Sequence, residues 1–94
     1  MALVLGYQSF QVTTTVATQI KTAGANYVCA QLAAAGAAVT LTVHNGLVTS
    51  AATQVFKLEA AINSTDRLEL PIRCPDGVKV KLSANTGIAS IFVA

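Results

Sequence analysis

Apolar and polar residues alternate along most of this chain with a period of two. Phe10, Val12, Thr14, Val16, Thr18 and Ile20 share one parity, opposite Gln11, Thr13, Thr15, Ala17 and Gln19. Valine and threonine are β-branched and fit a pleated surface, so this stretch predicts one long strand, or two collinear strands with a bend. Lys21–Asn26 reads as a turn. In Tyr27–Leu32, Tyr27, Cys29 and Gln31 fall on one face and Val28, Ala30 and Leu32 on the other. Both faces are fairly apolar, which suits a strand inside a sandwich or against a neighbouring subunit. Val39, Leu41 and Val43 alternate with Thr40, Thr42 and His44. Over Gln54–Ala60, Phe56 and Leu58 are expected to face in, with Lys57 and Glu59 facing out.

The last third is the clearest. Leu68, Leu70, Ile72 and Cys74 alternate with Arg67, Glu69, Pro71 and Arg73. Pro75-Asp76-Gly77 then reverses the chain, and Val78, Val80 and Leu82 alternate with Lys79, Lys81 and Ser83. Asn85-Thr86-Gly87 reverses it again before Ile88–Val93. This predicts a meander of three short strands joined by two tight turns. Pro71 has no N–H to give to a ladder, so it belongs on an edge or at a bulge.

Between these runs, the alanines of 33–38 with Gly36 are too few to nucleate a helix and read as a turn or short loop. Asn45-Gly46 tolerates positive φ and signals a turn, and polar residues as far as Thr53 favour a longer loop over 45–53. The pattern predicts an all-β antiparallel sandwich, jelly-roll-like, of about seven to eight strands. Residues 1–9 read as an apolar arm or short strand, and residues 10–94 as a single domain.

Composition sharpens this picture. Of 94 residues, 53% are hydrophobic and 11% charged, against roughly 25% charged in an ordinary soluble domain. Lys21 is the only Lys, Arg, Asp or Glu before Lys57. A surface so poor in charge is weakly defended against association, so copies or partners are expected to cover much of it. The expected contacts lie in the apolar start of the chain, at Leu3, Val4, Leu5, Tyr7 and Phe10. The net charge of +2 comes from basic residues spread along the chain, with no aromatic stripe among them, so nucleic-acid binding is not expected. No apolar run reaches the ~18–20 residues of a membrane helix. The first residues lack the charged and apolar regions of an export signal, so synthesis in a cytoplasm without export is expected.

Catalysis finds little support. His44 is the single histidine, and nothing in the spacing singles out Ser64, Asp66 or Glu69 as its partner. An ordinary hydrogen-bonded histidine is the expectation, with no enzyme activity and no cofactor. Cys29, Cys74 and His44 are too few for a comfortable metal site. The cysteines read as small buried hydrophobes, although they could pair.

The succession Ile20-Lys21-Thr22-Ala23-Gly24-Ala25, the strand Tyr27–Leu32, Val39–Gly46 and Pro75-Asp76-Gly77-Val78-Lys79-Val80 with its closing apolar strand resembles a family of small tailed-bacteriophage virion proteins. The resemblance covers about residues 10 to 94 and rests on strand and turn patterns. It implies a jelly-roll-like sandwich that decorates or cements the capsid, often as trimers, with the major capsid protein as partner. The expected location is the capsid surface, reached by assembly in the host cytoplasm. A neck, tail or fibre-base component is an open alternative within virions. A free β-sandwich module that binds glycan or protein is an alternative outside them.

Overall fold

The computed structural model describes residues 8–68 and 71–94. The described residues form nine strands and no helix: β1 (Gln8–Val12), β2 (Thr18–Lys21), β3 (Ala25–Ala34), β4 (Val39–Asn45), β5 (Gln54–Ala60), β6 (Thr65–Arg67), β7 (Ile72–Cys74), β8 (Val78–Leu82) and β9 (Gly87–Val93). They build two antiparallel sheets. Sheet A runs β1-β9-β3-β6, with β7 also on β3, and sheet B runs β2-β8-β4-β5.

The topology follows from one long antiparallel hairpin. Its tip is the loop 46–53, and moving outward from it β4 pairs with β5, β3 with β6 and β7, β2 with β8, and β1 with β9. The hairpin is rolled so that β8 also meets β4, and β9 also meets β3. This is the strand order of a jelly roll, in which β6 and β7 are two halves of one interrupted strand.

Period-two alternation sets the core, and packing picks the inward face of β3, whose two faces are both fairly apolar in the sequence, and of β9. Val28, Ala30 and Leu32 of β3, Val39, Leu41 and Val43 of β4, Val78, Val80 and Leu82 of β8, and Ala89, Ile91 and Val93 of β9 are buried together. Each large aliphatic chain taken fully from water contributes about 1.5–3 kcal/mol before entropy is charged. Phe56 of β5 is half-buried and packs against this cluster.

Three expectations change. The run 10–20, expected as one long strand or two collinear ones with a bend, is two strands in different sheets, joined by a corner at 13–17. There the Thr14 hydroxyl accepts from Val16 N–H at 3.1 Å, and the Thr18 hydroxyl donates to the Val16 carbonyl at 3.1 Å. The threonines satisfy the backbone locally, so Val16 turns outward and is 71% exposed. Arg67–Cys74 is broken as well. Between Arg67 and Ile72 the chain takes five steps while β3 takes three, from Gln31 to Val28. Pro71 lies in this break, on the edge of sheet A, as its missing N–H requires. Finally, the closing strands do not form a meander. β7 pairs with β3, β8 with β2 and β4, and β9 with β1 and β3, so no two successive strands of this run pair with each other.

Candidate interaction surface

Strands β1, β9 and β3 contain no Asp, Glu, Lys, Arg or His. Their inward residues fill the core, and the outward ones form a face whose rows follow from the register. Ser9, Phe92 and Cys29 make one row. Gln11, Ser90 and Gln31 make the next and continue to Arg67 on β6. Ile88 and Ala33 make the third and continue to Thr65. An amide and hydroxyl row is thus flanked by two rows richer in apolar groups. A shallow depression lies where β3, β6 and β9 meet, lined by Gln31, Ala33, Thr65, Arg67, Ile88 and Ser90. Tyr27 and Ile88 are about half exposed on this side. Burying such a face removes no ion from water across three strands, and its amides and hydroxyls then need hydrogen-bond partners.

The outer face of sheet B is different in kind. Lys81 lies opposite Thr42, which lies opposite Lys57, and Lys79 lies opposite His44. Lys57 pairs with Glu59 at 2.8 Å, an exposed contact of small energetic weight. Lysines that are scattered in the sequence are therefore gathered on one sheet. The lysines divide by sheet and not by half of the chain, because the rolled hairpin interleaves the two halves, while Asp66, Arg67 and Arg73 lie on the β6–β7 edge of sheet A.

His44 is buried, 3% exposed, under the loop 46–53. Its Nδ1 lies 3.1 Å from the Ser50 carbonyl and 3.1 Å from the Thr53 hydroxyl, and its Nε2 lies 2.9 Å from the Thr42 hydroxyl. A carbonyl only accepts, so Nδ1 carries the proton, and in the neutral ring Nε2 is left to accept from the Thr42 hydroxyl. Burial holds the imidazole below its ordinary pKa, Lys81 acts in the same direction, and the Ser50 carbonyl opposes both. Burial therefore favours the neutral ring, and its hydrogen bonds tie strand β4 to the loop. The side chains considered as its partners are engaged elsewhere. Ser64 donates to the Ala61 carbonyl, and Asp66 accepts from the N–H groups of Glu59 and Arg67. Glu69 lies outside the described residues. No group of three or more metal-ligating side chains forms among the described residues.

Both cysteines are free thiols. Cys74 faces the core opposite Ala25 and is fully buried, which raises its pKa. Cys29 has the opposite parity on β3 and points to the outer face. The two thiols project from opposite sides of sheet A and are not placed to bond.

Of the residues expected to make contacts, Leu3, Val4, Leu5 and Tyr7 lie outside the described residues. Phe10 sits in β1 opposite Ile91, half-buried against the core. The uncharged face escaped sequence reasoning because it needs β1, β9 and β3 side by side. The available signal was that each of these runs lacks charge. No protein-family model, curated protein or solved structure matches the chain.

Proposed function

We propose that the chain is a non-enzymatic structural protein of a virion. In this reading it is a capsid decoration or cement protein that stabilises a phage head through contacts between subunits. The uncharged outer face of β1, β9 and β3 carries this proposal. Burying it against a neighbour costs no ion desolvation, whereas the lysine-bearing face of sheet B suits water. The strand and turn pattern that resembles small phage virion proteins adds to it. The proposed partners are copies of the chain itself, as trimers, and the major capsid protein, on the capsid surface. The proposed action is mass action: a protein that binds the closed shell and not the opened one raises the free energy of opening.

Particles made with and without the chain test this reading. Purified particles are expected to hold it in numbers comparable to the capsid protein, and particles lacking it are expected to open at lower temperature. A handful of copies per particle would move the role to the neck or tail. Absence from particles, or unchanged heat stability without it, would sink the proposal.

A further inference from the structure

Two open sheets have four edges, and here they are β1 and β6–β7 in sheet A and β2 and β5 in sheet B. An edge presents unpaired N–H and C=O groups, and proteins guard such edges with charge, proline, bulges or short strands. Three of these edges are guarded. The β6–β7 edge is split, has Pro71 in the break, and bears Asp66, Arg67 and Arg73. The β5 edge bears Lys57 and Glu59, and the Glu59 N–H is occupied by the Asp66 carboxylate at 3.1 Å. The β2 edge is four residues long, ends on Lys21 and has a register shift between Gln19 and Lys21. β1, five residues long, lacks the charges, proline and register breaks of the others among its described residues. Gln8-Ser9-Phe10-Gln11-Val12 contains no charge, proline or glycine, and its register with β9 is unbroken from Gln8 to Val12.

We infer that the outer edge of β1 pairs antiparallel with β1 of a second copy of this chain, extending sheet A across a two-fold axis at Phe10. The choice of a second copy rests on charge. At a two-fold contact each side chain meets its own kind or a near neighbour, so a charged strand brings like charges together. β1 is the one edge of the four without a charged residue. The register follows from the pleat. Opposed residues must share parity to keep inner faces together, and centring on Phe10 uses all five residues of the strand. Phe10 then meets the partner's Phe10 on the core side, and Ser9 meets the partner's Gln11 on the outer side. The uncharged faces of both copies become one surface, six strands wide, in the order β3-β9-β1-β1-β9-β3. This pairing stands apart from the virion reading and from any three-fold grouping.

Sedimentation of the full chain over a range of concentrations tests it. The mass is expected to rise from 9.6 kDa toward twice that value. S9K/Q11K sets lysine against lysine at both outer contacts and is expected to raise the dimer dissociation constant about tenfold. S9E/Q11K sets Glu against Lys at the same contacts and is expected to restore or tighten the dimer. Both variants alter only exposed positions, and thermal melts check that each still folds. A wild-type chain that stays at 9.6 kDa at every concentration overturns the inference. So does an oligomer that both variants leave unchanged, or one that both weaken equally.

Discussion

Asn45 and Asp76, 31 residues apart, exchange two hydrogen bonds: Asn45 Nδ2 donates to the Asp76 carboxylate at 3.1 Å, and the Asp76 backbone N–H donates to Asn45 Oδ1 at 2.8 Å. The pair ties the end of β4 to the turn before β8, beside a bond from Gly46 N–H to the Gly77 carbonyl at 3.0 Å. The asymmetry makes a prediction. Asp76→Ala removes one bond and keeps the backbone one, whereas Asn45→Ala removes both. Urea unfolding is expected to show a loss of about 1 kcal/mol for Asp76→Ala and a larger one for Asn45→Ala. Equal losses would mean that the backbone bond contributes nothing.

Gln19 closes the same corner from β2. Its side-chain nitrogen donates toward the carbonyls of Lys21, Gly46 and Val78 at 2.8, 3.1 and 2.9 Å. Gln19→Ala removes the donor and is expected to cost about 1–3 kcal/mol. Gln19→Glu sets a carboxylate among three acceptors and is expected to cost more, because repulsion adds to the lost bonds. Thermal melts at neutral pH decide the order, and a glutamate variant as stable as the wild type would contradict this geometry.

Two glycines are needed for different reasons. A Cβ on Gly24 would overlap the Pro75 carbonyl oxygen, whereas one on Gly36 meets no atom within 4 Å. Gly36 instead holds φ at 83°, where other residues are strained. Gly24→Ala forces backbone apart and is expected to cost more than about 2 kcal/mol. Gly36→Ala is expected to cost about 1 kcal/mol. Gly36→Asn, which tolerates this region, is expected to recover part of that loss.

His44 makes stability depend on pH. Its folded pKa lies below the ordinary 6.5, so the unfolded chain binds the proton more tightly. The contribution is therefore complete above the unfolded pKa and is lost as pH falls through the folded one. Unfolding free energy measured from neutral pH downward is expected to decline through this window more steeply for the wild type than for His44→Gln. Parallel curves would show that the imidazole stays coupled to solvent protons in the folded state.

The two thiols are expected to react differently. A thiol reagent should modify Cys29 in the native protein and reach Cys74 only with unfolding, because Cys74 is fully buried and its thiolate is disfavoured. Cys74→Ser leaves a hydroxyl in the core and is expected to cost about 1–3 kcal/mol, with Cys29→Ser close to neutral. Two native-state thiols reacting at equal rates would place Cys74 outside the core.

Parity along each strand was legible in the sequence, because backbone geometry alone turns successive side chains to opposite faces. Val28, Leu41, Val80 and Ile91 face the core for that reason, and the breaks at Gly36, Gly46 and Gly77 coincide with backbone of positive φ. Val16 shows where this local rule ends. It shares the parity of Val12 and Ile20, yet it lies on a corner between sheets and faces solvent. The uncharged face was harder still to see, since its rows join residues as distant as Gln11 and Ser90.

The sequence by itself determined the all-β class, the alternation along most strands and the turns at Gly36, Gly46 and Gly77, all of which are local consequences of side-chain alternation and permitted φ. Only the tertiary structure decided which strands are neighbours. Pairing is a non-local choice, made when one long hairpin rolls up to bury both of its apolar faces at once. That closure sent β7, β8 and β9 to partners far along the chain, gathered the lysines on sheet B and left β1 as the one described edge without a charged residue.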